Sequence, residues 1–299
     1  MMWFVLALVS CAFNVAVIEI VRRCRLNPYE ALLYRCLIGI FLLLPFFTLF
    51  AYPTDPRFYL FMVLLSGIYA WGNITMGNLA AQRNGRIAVL YQPLMIFLTF
   101  VMWTALHPAD LDTLFQTPQT LYTTALCFGV LVFSLACIRR NDYAWKSVMA
   151  AVPIAVLYAL LTVGQAWFLN APDAQTDISQ GGQMGRILSI LFFGNMGMVI
   201  ALPFFARYRV QTPELDLARR AQFPIVTMTI LAVLGVLSWG AMLYALQIAD
   251  NPAYPVAIKA LMPVMFQVYY WIRGWKDHAS PIAGMGLALS ALMLGFMHP

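Results

Sequence analysis

Charge is what this chain of 299 residues has least of: Asp, Glu, Lys and Arg make up 10% of it, against roughly 25% in soluble domains. So few charges cannot clothe a globule in water-compatible surface. Histidine is scarce too, and His107, His278 and His298 all lie outside the apolar stretches. The cysteines, Cys11, Cys24, Cys36, Cys127 and Cys137, are odd in number and show no metal-ligand spacing. That argues against a disulfide framework or a zinc site and leaves packing as their role. No cofactor motif is present, and no intramembrane Asp pair, Ser-His set or metal cluster suggests an enzyme. What is abundant is apolar surface, at 62% of residues where about 45–50% is usual. The chain therefore reads as an all-α polytopic membrane protein with the lipid bilayer as its solvent.

Ten segments approach the ~20 residues needed to cross the hydrocarbon core. They run from Met2 to Val21, Ala31 to Ala51, Phe58 to Ala80, Arg86 to Leu106 and Leu121 to Ile138. Then come Trp145 to Leu169, Gly185 to Ala206, Phe223 to Ile248, Pro252 to Ile272 and Ser280 to Met297. The first reads as a helix that stays in the membrane. It lacks the basic start of a removable signal, and it continues well past Cys11 despite the lipobox-like Leu8-Val9-Ser10-Cys11. Alternating strands of the β-barrel kind are absent.

Lys and Arg fall mostly on one side. Arg22, Arg23, Arg25, Arg83, Arg86, Arg139, Arg140, Lys146, Arg207, Arg209, Arg219, Arg220, Arg273 and Lys276 flank the odd-numbered connections. Arg57 and Arg186 lie on the other side, and Arg35 and Lys259 fall within spans. By the positive-inside bias the basic side is cytoplasmic and both termini are not. The net charge of +6 is thus a topology signal and predicts no nucleic-acid partner.

An internal repeat is expected. Trp71-Gly72 is followed 22 residues after the Trp by Pro93, and Trp239-Gly240 is followed 24 residues after the Trp by Pro263. Five spans on each side of residue 143 would give halves 1–143 and 144–299. Because five is odd, the second half is inverted, as in many secondary transporters.

These features resemble the ten-helix EamA-type branch of the drug/metabolite transporter (DMT) superfamily. The motifs are short: Asn14 with Glu19 five residues on, Arg35 early in the second span, and Gln82 to Pro93 linking the third and fourth. Ala245-Leu246-Gln247-Ile248-Ala249 before Pro263, and Asp277, Ser280 and Gly284 before the last span, complete the set. Glu19 departs from the family's cation at that place, and the basic loops fall on the side many members leave outside. The resemblance implies an exporter or exchanger of small organic metabolites such as amino acids, in a bacterial inner (plasma) membrane, as a monomer or homodimer. Protons are the implied candidate coupling ion.

Ionisable groups within spans cost about 2.5–3.5 kcal/mol on insertion scales and so mark candidate sites. Glu19 could exchange protons or pair with Arg22 and Arg23. Lys259 could hold a substrate carboxylate or snorkel outward. Arg35 could face substrate or pair with Glu30. The amides and hydroxyl within spans are Asn14, Asn73, Asn78, Gln92, Gln165, Asn195, Gln267 and Ser238, whose ordinary role is to bond neighbouring helices. Those beside helix breakers, Gln92, Asn73 and Gln267, are the better site candidates. Trp71, Tyr91, Tyr158, Trp167 and Trp239 could bound a pocket. Gly67, Gly72, Gly77, Gly194, Gly197, Gly235 and Gly240 are candidates for close helix packing. The leading expectation is a secondary transporter working by alternating access. A flippase for a lipid or amphiphile on the same fold is the alternative, and a channel lacks its filter motif.

Overall fold

The computed structural model describes residues 2–24, 26–49, 56–82, 92–107, 118–139, 142–170, 182–208 and 225–274, with the isolated positions 286, 289 and 293. The described residues are almost entirely helical and contain no strand. In chain order the helices are α1 (Met2–Arg23), α2 (Pro28–Leu43), α3 (Pro56–Gln82), α4 (Gln92–Leu106) and α5 (Pro118–Arg139). They continue as α6 (Asp142–Asn170), α7 (Gly182–Ala201), α8 (Ile225–Ile248), α9 (Ala253–Ile258) and α10 (Met262–Ile272). Six stretches, those of α1, α3, α6 and α8 and those of α2 and α7 with the turns that follow them, are long and apolar enough to cross a membrane, and α4 and α5 contain shorter apolar stretches. The chain is an all-α membrane protein. The expected tenth span lies almost wholly outside the described residues.

Local sequence explains the element ends. Asn27 caps α2 by accepting from the Tyr29 amide at 3.0 Å, with Pro28 in the first turn. Asn251, one residue before the Pro252 N-cap of α9, makes the same kind of bond, accepting from the Ala253 amide at 2.9 Å. Both pairs use the short Asn side chain as acceptor and the fixed φ of Pro as helix starter. The expected ninth span is broken: α9 and α10 are joined by a 3-10 turn, Lys259–Leu261. Pro263 has no amide hydrogen for the carbonyl four residues back, which belongs to Lys259. The Met262 amide bonds that carbonyl instead, one residue tighter. Two further 3-10 turns end α2 and α7. They begin Leu44-Pro45-Phe46-Phe47 and Leu202-Pro203-Phe204-Phe205, the same four residues at the same structural place.

Packing follows a paired pattern. α1 lies along α8, and α6 lies against α3. α2 packs on α8, and α7 packs on α3. α1 touches α9 and α10, and α6 touches α4. α2 and α7 meet each other. Contacts at both ends of α1 fix its direction relative to α9 and α10. Trp3 stacks on Tyr254 at 6.3 Å, and Glu19 meets Tyr270. These elements therefore run side by side in the same sense.

One end of the bundle is filled by rings. Phe58 of α3 meets Phe168 of α6 edge-on at 5.7 Å and Phe193 of α7 at 6.2 Å, while Phe61 lies against Phe168 at 4.9 Å. Trp3, Ala7, Leu65, Leu169, Leu246 and Tyr254 belong to the same buried cluster. This is the end where α1 begins and α6 and α8 finish. Arg186 closes it further: buried in the first turns of α7, it donates to the Leu169 carbonyl at 2.8 Å. A cation at the carboxyl end of α6 satisfies a free carbonyl and the helix dipole together.

Candidate functional site

Between the ring-filled end and the basic end lies a cavity of about 210 Å³. Helical periodicity decides which side chains reach it. Along α1 the wall is Ser10, Asn14, Val17, Ile18 and Val21, one stripe of a 3.6-residue helix. Along α3 it is Tyr69, Asn73, Met76 and Gly77, and along α2 it is Pro28, Ala31, Leu32 and Arg35. α8 supplies Gly235, Ser238 and Trp239 among others, while α6 gives Tyr158 and α7 gives Asn195 and Met198. Gln92 of α4, Lys259 of the 3-10 turn and Met262 of α10 complete the wall. The cavity thus reaches from mid-depth, at Ser10, Trp239 and Lys259, toward the end where α1 stops and α2 begins.

Small residues bring the walls together. Ser238 donates to the Ser10 carbonyl at 2.9 Å, and the two hydroxyls lie 3.2 Å apart, joining α8 to α1. Gly235 leaves room for a longer neighbour: a Cβ there would lie 2.9 Å from Cδ of Arg35. The arginine stem crosses α8 at this gap. Its Nη2 then meets Asn73 Oδ1 at 3.5 Å. The Asn73 amide nitrogen is committed to the Tyr69 carbonyl at 2.7 Å, which turns the oxygen toward the guanidinium.

An aromatic corner forms the wall between α3, α6 and α8. Tyr69 packs edge-on against Tyr158 at 5.0 Å and against Trp239 at 5.5 Å. The Tyr69 hydroxyl donates to Gln165 Oε1 at 3.3 Å, so the corner is also tied to α6. Gly72 and Gly194 admit these rings, since a Cβ at either would collide with Tyr158 or Trp239 respectively. The Trp239 indole nitrogen and Gln92 Oε1 are buried without a hydrogen-bond partner among the described residues. Gln92 makes its one bond through Nε2, to the Met262 sulfur at 3.2 Å.

Two groups of charges stand at and beside the cavity. Glu19 stands off the cavity and is fully engaged. It accepts from Arg22 Nε at 3.0 Å and Nη2 at 2.8 Å, from Arg23 Nε at 2.8 Å, and from the Tyr270 hydroxyl at 3.4 Å. Arg22 and Arg23 lie over the Tyr270 and Tyr269 rings at 5.4 and 5.1 Å. Arg35 and Lys259 are the cavity cations. No carboxylate lines the cavity among the described residues, and none of those residues forms an ion pair with either cation. Arg35 meets Asn73, not the Glu30 its sequence position suggested.

The structure brings Asn14, Arg35, Asn73, Gln92, Trp239 and Lys259 to one wall. It leaves Glu19, Trp71 and Gln267 off that wall, and Tyr91 lies outside the described residues. The reason is angular. Trp71 is two positions after Tyr69 and so points to the far side of α3. Glu19 is five positions after Asn14 and Gln267 five after Met262, each well off the lining stripe. Sequence reasoning missed Tyr69 and Ser10. Tyr69, Asn73 and Gly77 stand at successive spacings of four, a signal that was available. Among the glycines, Gly67 has no described residue within 4 Å of a Cβ and packs against none of them; among the described residues Gly240 meets Leu191, at an ordinary 3.5 Å. Gly77 meets Pro28 closely and Gly197 meets Ser66 closely.

No family model matches the chain, and no curated protein matches it.

Proposed function

We propose that the chain is a secondary transporter of small organic metabolites, built from two inverted five-helix halves, residues 1–143 and 144–299, that alternate in exposing a central site. The observation that carries this is the cavity: one chamber lined by both halves, packed shut by rings at one end and reaching toward the other. Such a chamber is what one state of an alternating-access cycle requires.

The inverted repeat has its own support. Exchanging each helix of the first half for its counterpart turns the α1–α8 contact into α6–α3, α2–α8 into α7–α3, and α1–α9/α10 into α6–α4. Each exchanged pair exists. The α2–α7 contact maps onto itself, as a contact on the symmetry axis must. The shared Leu-Pro-Phe-Phe at the ends of α2 and α7 adds a sequence match. The parallel run of α1 beside α9 and α10 needs an odd number of crossings between them, which the intervening seven helices supply. These points, with the likeness read from Asn14, Arg35 and Pro263, support placing the chain near the EamA-type transporters of the drug/metabolite superfamily.

The cavity volume favours a small solute over a lipid. It is below the ~300–1,000 Å³ of pockets for drug-sized ligands. With basic loops in the cytoplasm the ring-filled end faces outward, both termini are non-cytoplasmic, and the cavity reaches inward. The membrane is the bacterial inner membrane.

The test is solute exchange by purified protein in proteoliposomes preloaded with a mixed metabolite pool. Protein-dependent, saturable exchange is expected. Vesicles with folded protein that exchange no solute, yet move a labelled lipid between leaflets, would replace this reading with a flippase.

A further inference from the structure

We infer that the cavity takes a small organic anion, a carboxylate or phosphate monoester, whose acid group is met by Arg35 and Lys259. This deepens the transport reading, since it names the substrate class of the same cavity.

The contrast between the two charge groups carries the inference. At the basic end the fold answers charge with charge: Glu19 takes three bonds from two arginines and a fourth from Tyr270. At mid-depth it does the opposite. Arg35 from the first half and Lys259 from the second both line the chamber, and no described carboxylate lines it with them. Charges within a membrane are characteristically paired or functional. Arg35 spends one long bond, 3.5 Å, on Asn73 and touches the neighbouring Cys36 thiol, and it has further donors in its fork. A guanidinium presents paired donors that match carboxylate and phosphate oxygens, and an ammonium adds a point charge.

Both cations are held in place by the backbone. Gly235 opens the gap through which the Arg35 stem passes. Pro263 breaks the helix at Lys259 and so sets the lysine on a turn in the chamber wall. The remainder of the wall suits an organic body. Tyr69, Tyr158 and Trp239 give an aromatic corner, and Asn14 and Asn195 give amides. A cationic or zwitterionic solute would need an anionic acceptor for its ammonium, and the described lining offers only neutral oxygens. The chamber therefore selects for net negative charge.

The test joins binding to transport. Thermal stabilisation of the purified protein is measured against carboxylates of two to eight carbons, phosphate monoesters, the matching neutral amides and free amino acids. Wild type, Arg35→Gln, Lys259→Gln and Lys259→Arg are compared, together with exchange in proteoliposomes. Members of one anion class should stabilise the wild type, and their amides should not. Each Gln variant should bind at least tenfold more weakly with its unliganded melting temperature kept, and Lys259→Arg should retain part of the binding. Which anion class stabilises decides between carboxylate and phosphate. Equal stabilisation by amides, preference for amino acids or cations, or full binding in both Gln variants would overturn the anion site while leaving transport standing. Anion binding lost in the variants, with no solute exchanged, would keep the anion site and overturn transport.

Discussion

The Tyr270 hydroxyl donates to Glu19 Oε2 at 3.4 Å and so ties the end of α10 to the end of α1. The same carboxylate holds Arg22 and Arg23, whose guanidinium groups lie over the rings of Tyr270 and Tyr269. Two aromatic residues and three charged ones thus form one clasp beside the cavity, at its basic end. In an alternating-access cycle, a contact joining elements from the two halves at one end is a contact that changes.

Glu19→Gln should act on stability and not on proton coupling, because the carboxylate is already committed to two guanidinium groups. Hydrogen bonds to charged groups contribute about 1.5–3 kcal/mol each, but both arginines are partly exposed, which reduces that. A loss of about 1 kcal/mol is expected, read as a lower melting temperature in detergent. The response of exchange to a pH gradient should persist. A variant as stable as wild type with no gradient response would instead make Glu19 the proton site.

Gly235→Ala should weaken the site without unfolding the protein. The added methyl would sit 2.9 Å from Cδ of Arg35, and a flexible stem can yield. The guanidinium then leaves its place beside Asn73. About tenfold slower exchange is expected, equivalent to ~1.4 kcal/mol, with normal membrane insertion. Gly67→Ala is the matched control, because no described residue lies within 4 Å of the new methyl. Equal loss in both variants would refute the local explanation.

Gly72→Leu should abolish exchange and leave insertion intact. Even a Cβ at this position runs into Tyr158, so the α3–α6 corner must part. Gly240→Leu should be milder, since among the described residues its Cβ meets Leu191 at an ordinary 3.5 Å. Exchange assays on purified variants with matched insertion levels test the order; full activity in Gly72→Leu contradicts it.

Ser10 and Ser238 should couple weakly. Interhelical hydrogen bonds in membranes average about 0.6 kcal/mol in double-mutant cycles. The cycle of Ser10→Ala, Ser238→Ala and the double variant should return a coupling near that value. The Ser238 bond to the Ser10 carbonyl survives in Ser10→Ala, so the coupling reads only the hydroxyl pair at 3.2 Å.

Cys24 gives the orientation. It is exposed just after α1, whereas Cys11, Cys36 and Cys127 are buried. A membrane-impermeant maleimide should label it in inside-out vesicles and not in intact cells, with Cys24→Ser as the reference. Labelling from outside would reverse the assigned topology.

Composition put this chain in a membrane, because 10% charge and 62% apolar residues cannot clothe a soluble globule, and apolar runs near the ~20-residue span length made its crossings helices. Proline and asparagine determined where several helices start or break, since their effects act within a turn: Asn27 caps α2, Asn251 bonds the first amide of α9, and Pro263 breaks the ninth span. Sequence also singled out Asn14, Arg35, Asn73, Gln92, Trp239 and Lys259, as polar groups or as a repeated Trp. What it could not decide was direction. In a helix apolar all round, no stripe says which side faces a neighbour, so Trp71 looked equal to Trp239 until α3 was turned to present Tyr69. It could not decide pairing either. Glu19 had both a proton-exchange reading and a partner reading, and the approach of Tyr270 from 251 residues away settled its surroundings. The pairing of Glu19 with Arg22 and Arg23 is local to α1, whereas long-range packing decided that Arg35 and Lys259 face the cavity.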